Sequence, residues 1–199
     1  AWLIIAEMNR RREGAPAPLK VGFSMVDTPE EREKHEKLRK KMYDGGIFPS
    51  LAMVGAVADP ESSSAPEMEK FTFNTIVDLA RNGEEVPLLK PSEKAIKAVH
   101  EYLMEATAGQ APVTITLREA DYIEFRNSNL IEWLKVAEHL EVQGERVIFI
   151  RDTAKAMEPI FGFDICPAAS LDLDVRLALY EAARCNLFVS NGPWSLALF

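Results

Sequence analysis

The chain has 199 residues, of which 47% are hydrophobic and 27% are charged, and its formal net charge is −8. This composition is too apolar for a disordered chain, and the length allows one large domain or two small ones. Nucleic acids and anionic membranes are held by clustered Lys and Arg, so the acidic charge argues against broad binding to either. It is compatible with a small anionic ligand that one or two arginines hold locally.

The sequence predicts a cytoplasmic protein without a membrane span. No apolar run approaches the roughly 20 residues that a spanning helix needs. The opening segment AWLIIAEMNRRR places its basic residues after its apolar ones, which is the reverse of a secretory signal. The chain begins without Met in the middle of a predicted helix and ends just after another helix begins. We therefore expect a fragment of a longer protein, and the alternative is a chain with a processed start and a short natural tail.

Residues 1–109 are predicted to form an N-terminal α/β part. Its predicted elements are a helix over 1–12, a strand over 19–26, a helix over 28–43, a strand over 50–58, a loop over 59–70, a helix over 73–83 and a helix over 92–106. The charged helix over 28–43 begins with Thr28 as a cap and Pro29 at its first position. The strand over 50–58 rests on an apolar run that is short enough for a buried strand.

Strands and helices alternate in the C-terminal part, residues 110–199, which begins within the linker TAGQAP at 107–112. Its predicted elements are a strand over 112–118, a helix over 129–144, a strand over 146–152, a helix over 174–185, a strand over 186–191 and a helix that begins at Ser195. This alternation is typical of a parallel sheet with right-handed crossovers. The predicted fold class is therefore α/β, with a Rossmann-like parallel sheet flanked by helices.

Polar side chains follow the first two predicted strands of this sheet. Ligands of open parallel sheets bind beyond the carboxyl ends of the strands, so these side chains are candidate site residues. Arg118 ends the first strand and can bind a diphosphate or pair with a nearby carboxylate. Arg126 and Asn127 precede the next helix and can donate to a ligand or serve the helix as caps. Asp152 ends the second strand and can accept from a ribose hydroxyl or cap the following turn.

The loop after the third strand has the strongest pattern for an anion site. Ser190, Asn191 and Gly192 end the strand and lead into the helix that is predicted to begin at Ser195. Unpaired backbone N–H groups at a helix start attract an anion, and Gly192 would let the backbone approach a phosphate closely. The alternative is an ordinary strand-to-helix turn in which Ser195 is the cap.

The sequence offers no pattern for a metal site or a nucleophile. His35, His100 and His139 have no partners at ligand spacing, so we expect no bound metal. Neither Cys166 nor Cys185 has the surroundings of a nucleophile, and no G-x-S-x-G elbow occurs.

Residues 112–199 resemble the donor-binding half of two-domain GT-B type glycosyltransferases, in particular their fucosyltransferase-like branch. The resemblance follows the order of the segments TITLR, RNSNLIEWLKVAEHL, VIFIRD and DVRLALYEAARCNLFVSNGPWSLA. In that branch an arginine after the first strand contacts the donor diphosphate, and Arg118 stands at that position. An aspartate after the next strand faces the nucleotide, as Asp152 would, and a Ser-rich loop holds phosphate where residues 190–195 stand.

The resemblance implies a metal-independent glycosyltransferase without a cofactor, whose small-molecule partner is a nucleotide sugar. Residues 1–109 would then belong to the acceptor side. Asp27, Asp44 and Asp59 are candidates for the base that deprotonates the acceptor hydroxyl, although each is more often a turn residue. Two alternatives stay open: a non-catalytic module that binds a nucleotide, a sugar or a protein on the same scaffold, and a nucleotide-sugar epimerase.

Overall fold

A computed structural model of the chain describes residues 2–21, 48–58, 73–121 and 123–198. The predicted helix over 28–43, the loop over 59–70 and most of the strand over 19–26 lie outside the described residues. Asp27, Asp44 and Asp59 lie outside them as well. The contacts of the chain divide it into two compact units, residues 1–90 and residues 91–198.

The described part of the N-terminal unit contains helices and a short parallel pair of strands. The elements are helix α1 (Trp2–Arg12), strand β1 (Lys20–Val21), helix α2 (Phe48–Met53), strand β2 (Val57–Ala58) and helix α3 (Phe73–Arg81). Strand β1 pairs with β2 in parallel. Val21, Leu51 and Ala56 are buried together and form the core beside this pair.

The apolar run over 50–58 is not a single strand, so that prediction is wrong. Its first half belongs to helix α2, and only Val57 and Ala58 are extended. Gly55 ends the helix with a φ of 67°, a conformation that glycine adopts without a steric penalty. The backbone N–H of Ala56 then donates to the carbonyl of Leu51 at 2.8 Å. A short apolar run does not distinguish a buried strand from a buried helical turn.

The C-terminal unit is built on a four-stranded parallel sheet. Its strands are β3 (Val113–Thr116), β4 (Val147–Ile150), β5 (Asp164–Ile165) and β6 (Cys185–Phe188), in the spatial order β5-β4-β3-β6. Val113 lies opposite Val147 on one side of β3 and opposite Cys185 on the other, and all three strand pairings are parallel. The predicted parallel arrangement and the α/β class are confirmed. Counted from β3, the order is 3-2-1-4, as in the first four strands of a doubly wound sheet of order 3-2-1-4-5-6.

Helices pack on both faces of this sheet. Helix α5 (Leu130–Val142) lies on the face that carries Ile115 and Phe149. The opposite face carries Thr116, whose hydroxyl oxygen is 2.8 Å from that of Tyr180 in helix α7 (Leu173–Ala182). Successive side chains of a strand point to opposite faces, so each strand serves both layers. A short helix α6 (Pro167–Leu171) leads from β5 into α7.

Helix α4 (Glu93–Thr107) belongs to this unit, although it precedes the linker that the sequence predicts. The helix packs against α7 and buries Ala95, Val99 and Leu103. Its cap residue Ser92 donates to the carboxylate of Asp174 in α7 through its backbone N–H at 2.8 Å and its hydroxyl at 2.6 Å. These contacts explain why the division falls between residues 90 and 91. In the part of the chain that the structure describes, no helix is long and apolar enough to cross a membrane.

Candidate functional site

A cleft of about 410 Å³ opens at the carboxyl ends of β3, β4 and β6, within the C-terminal unit. It is lined by residues at and after the ends of these strands, at 116–118, 120, 151–153 and 190–193, together with Arg126 and Arg176. In a sheet of order 3-2-1-4 the chain leaves strands 1 and 4 toward opposite faces, which opens a crevice between them. Here those strands are β3 and β6, so the topology accounts for the position of the cleft.

Most of the residues that the sequence analysis selected come together in this cleft. Those that line it are Arg118, Arg126, Asp152, Ser190, Asn191 and Gly192. Asn127 and Ser195 are not part of the lining. Among the described lining residues the charged side chains are four arginines and one aspartate, which is a local excess of positive charge in an acidic chain.

Arg118 is buried and organises the loop over 119–127. Its Nη1 donates to the carbonyl of Ile123 at 3.1 Å and to the side-chain oxygen of Asn127. Asn127 also pairs with both backbone groups of Ala120. The hydroxyl of Ser128 accepts from the backbone N–H of Arg118 at 2.9 Å and closes the loop. Arg118 and Asn127 therefore shape one wall of the cleft.

Arg151 is buried next to a carboxylate that compensates its charge. Its Nε donates to Glu119 at 3.0 Å, its Nη2 donates to the other oxygen of the same carboxylate, and its Nη1 donates to the carbonyl of Glu158 at 2.9 Å. Burial raises the pKa of Glu119, but the hydrogen bonds and charge of Arg151, with the charge of Lys155, outweigh it and hold the pKa below its usual value. The positive charge of Arg151 is thus largely neutralised within the protein.

Arg176 lies on α7 at the floor of the cleft and is only 7% exposed. Its Nε donates to the carbonyl of Ala169 at 2.5 Å, and its Nη2 donates to that of Ser170 at 3.1 Å. Among the described residues no carboxylate lies within ion-pair distance of this guanidinium. Burial lowers the pKa of Arg176, while the charge of the more distant Asp152 acts in the opposite direction.

The loop after β6 forms the opposite wall, and Arg126 bridges to it. Nη2 of Arg126 donates to the carbonyl of Ser190 at 3.0 Å. A 3-10 helix begins at Gly192 and runs to Leu198, so the predicted helix start at Ser195 is wrong by one turn. The side chain of Asn191 accepts from the backbone N–H of Trp194 at 3.2 Å, and Asn191 rather than Ser195 caps this helix. So short a helix adds few aligned peptide dipoles, so an anion here depends on the arginines.

Gly192 has an ordinary backbone conformation, because its φ does not lie in the left-handed region. A Cβ atom built at this position would meet no other atom within 4 Å. The fold itself therefore does not require glycine at this point of the cleft wall.

Asp152 is the carboxylate of the lining and is already held by the backbone. One of its oxygens accepts from the N–H of Thr153 at 2.8 Å, and the other accepts from the N–H of Glu119 at 3.3 Å. Capping of the turn, one of the two roles that the sequence allowed, is thus observed. Each carboxylate oxygen still has lone pairs that can accept from a hydroxyl or an N–H group of a ligand.

Sequence reasoning gave no role to Arg151 and missed Arg176 as a cleft residue. Arg151 adjoins Asp152 at a strand end, so the rule that selected Asp152 also places Arg151 at the cleft. Arg176 comes from a helix, and its signal was weak: it shares a helix face with Leu179 and Tyr180, three and four residues on. An arginine on an otherwise apolar face indicates a buried charge.

Among the described residues, no group of three or more His, Cys, Asp or Glu side chains comes together in a way that could hold a metal ion. The chemistry that the cleft offers is therefore hydrogen-bond donation from guanidinium and backbone groups to an anion, and acceptance by Asp152.

Comparisons of the chain with protein-family models, with curated proteins and with solved structures give no significant match.

Proposed function

We propose that the C-terminal unit binds the nucleoside diphosphate part of a nucleotide sugar in the cleft, and that the protein transfers the sugar to an acceptor hydroxyl. The observation that carries the proposal is the charge of the cleft. Four arginines and one aspartate line a crevice at the switch point of a parallel sheet, in a chain whose net charge is −8. A positive focus in an acidic protein favours a small anionic ligand over a polyanion.

The single carboxylate refines the class of ligand. Asp152 would repel any phosphate placed directly beside it, but it can accept from a hydroxyl or a base N–H. The cleft thus suits a ligand that combines an oxyanion with hydrogen-bond donors. A nucleoside diphosphate that carries a sugar has both, whereas the only donors of inorganic phosphate are O–H groups on the oxyanion itself.

In this proposal the arginines also serve the chemistry. When the bond between the sugar and the diphosphate breaks, negative charge develops on the leaving phosphate. Guanidinium groups that are already held in place stabilise this charge without reorganisation, and no metal is required for that role. The acceptor hydroxyl needs a general base, and the candidates Asp27, Asp44 and Asp59 lie outside the described residues.

The alternative is a module that binds the nucleotide or sugar without turnover. Among the described lining residues the only carboxylate is Asp152, which already accepts two backbone N–H bonds, and no histidine lines the cleft. This observation favours binding over acid–base catalysis within the C-terminal unit itself.

The test is calorimetric titration of the full chain with a panel of nucleoside diphosphates and their sugar conjugates, with pyrophosphate for comparison. We expect at least one nucleotide to bind more tightly than pyrophosphate. Arg126→Ala should weaken that binding roughly tenfold, the effect of one charge-assisted hydrogen bond. Gly192→Ala should weaken it, because the added methyl group would keep a phosphate from approaching the backbone closely. The variant should not have a lower melting temperature, because the methyl group meets no other atom of the protein within 4 Å.

Arg146→Ala is the matched control. Arg146 is also an exposed arginine that donates to a backbone carbonyl, that of Ala106 at 3.1 Å, but it precedes β4 at the opposite edge of the sheet. It lies in addition 3.7 Å from the exposed carboxylate of Asp164. Its loss should leave nucleotide affinity unchanged. An equal loss of affinity in both arginine variants, or no binding of any nucleotide, would contradict the proposal. Binding without transfer to any hydroxyl acceptor would support the non-catalytic alternative.

A further inference from the structure

The arginines of the cleft differ in how many of their donors the protein already uses. Arg118 holds the loop over 119–127, and Arg151 forms two hydrogen bonds with Glu119. Both guanidinium groups have partners that keep them in place with no ligand present. Their main role is therefore to hold the wall of the cleft, and most of their donors are bonded to the protein.

Arg176 differs because its partners are only backbone carbonyls. Two of its nitrogens donate to Ala169 and Ser170, while Nη1 has no acceptor among the described residues. Nη1 is not fully enclosed by the protein, and Arg176 lines the cleft. A buried cation without a counter-ion is unfavourable unless something compensates it.

We infer that Arg176 is the group that binds the phosphoryl oxyanion of the ligand at the floor of the cleft. The carbonyls of Ala169 and Ser170 fix the plane of the guanidinium, so the remaining edge meets an oxyanion with little loss of side-chain freedom. The inference rests on the proposed function only in taking this cleft as the ligand site.

The neighbours of Arg176 connect it to the rest of the cleft. The next residue on the same helix face, Tyr180, is hydrogen-bonded to Thr116 of β3, which also lines the cleft. Asp152 acts on the charge of Arg176 from beyond ion-pair distance. A phosphoryl group at the floor would supply the missing counter-charge, and Asp152 would then meet the part of the ligand that bears hydroxyl or N–H groups.

The experiment measures how pyrophosphate affects the full chain, by calorimetry and by the shift in melting temperature. The variants are Arg176→Met, which keeps the apolar stem, and Arg176→Lys, which keeps the positive charge but not the planar guanidinium with its several donors. We expect pyrophosphate affinity to fall by about 10- to 100-fold in Arg176→Met and by less in Arg176→Lys. Arg146→Met is the control, because it removes an arginine at the opposite edge of the sheet, and it should bind pyrophosphate as the wild type does.

Equal pyrophosphate affinity in the wild type and in a folded Arg176→Met variant would overturn the inference, and so would a wild type that does not respond to pyrophosphate. Neither result bears on the proposed function, which nucleotide binding tests. If pyrophosphate binds through Arg176 but no nucleotide binds, the inference stands and the proposed function fails.

A variant-free measurement covers the case in which the Arg176 variants do not fold. Crystals of the wild-type chain are soaked in tungstate, a heavy tetrahedral oxyanion, and its anomalous peaks are located. A peak within hydrogen-bonding distance of the Arg176 guanidinium supports the inference. A cleft without a peak, or with a peak only at the rim beside Arg126, overturns it.

Discussion

Glu119 determines how much of the positive charge in the cleft a ligand can use. Its side chain is 9% exposed and receives both hydrogen bonds of the Arg151 fork, while Lys155 lies 3.6 Å from the same carboxylate. One carboxylate thus neutralises an arginine that lines the cleft. This single residue links the stability of the loop after β4 to the strength of anion binding.

Glu119→Gln should therefore have two opposite effects. The variant should be less stable by about 3 kcal/mol, because it removes the buried counter-ion of Arg151 and leaves only the exposed Glu158 nearby. It should also bind pyrophosphate more tightly than the wild type, because the charges of Arg151 and Lys155 are released toward the cleft. Chemical denaturation and calorimetry measure the two effects. Glu158→Gln is the control, since Glu158 also approaches Arg151, at 3.4 Å, but its side chain is 59% exposed.

The ion pair of Glu119 with Arg151 predicts that the free energy of unfolding falls at acid pH. The pKa of Glu119 is lower in the folded chain than its ordinary value of 4.5, so the pair stabilises the fold fully above that value. The stabilisation is lost as the pH falls through the lowered pKa of the folded state. Glu119→Gln should lose this part of the acid dependence of unfolding, and an unchanged pH profile would show that the pair does not contribute.

At the scale of elements, helix α5 shows how a sequence pattern becomes a packed layer. Asn129 caps the helix by accepting from the N–H of Glu132. The stripe that faces the sheet consists of Leu130, Trp133, Leu134, Ala137 and Leu140. Trp133 is partly rather than fully buried, but it packs on the core and is not part of the cleft lining.

Trp133→Ala should consequently lower the melting temperature and leave ligand affinity unchanged. A fully buried Trp loses about 3–5 kcal/mol on truncation, and partial exposure places the expected loss below that range. Ile131→Ala on the same helix is the control, because Ile131 is 67% exposed and its truncation should change stability little. Weaker nucleotide binding at an unchanged melting temperature would instead indicate a role for Trp133 as a sugar platform.

At the scale of the whole molecule, the position of α4 decides where a separable unit begins. The helix packs on α7, and Ser92 is bonded to Asp174, so the sheet unit includes residues well before the linker at 107–112. Without α4, the face of α7 that it covers would be exposed to water. Exposed apolar area of that kind lowers the free energy of unfolding in proportion to the area.

A fragment of residues 91–199 should therefore fold with a cooperative thermal transition, whereas a fragment of residues 110–199 should not. The comparison uses circular dichroism melting curves, with the full chain as reference. Equal cooperativity in the two fragments would mean that α4 is not needed by the sheet unit.

The sequence by itself determined the parallel sheet and much of the cleft lining. Capped helices alternate with β-branched runs, and parallel strands all end at one edge, so local patterns were enough to bring Arg118, Asp152 and the 190–192 segment together. The two-residue strand β5 and the short helix α6 were missed, because elements of that length carry no periodicity. Only the tertiary structure decided the strand order, the placement of α4, the pairing of Arg151 with Glu119 and the presence of Arg176 at the floor. These depend on which distant residues exclude water from a charge or compensate it, and the local sequence does not specify that.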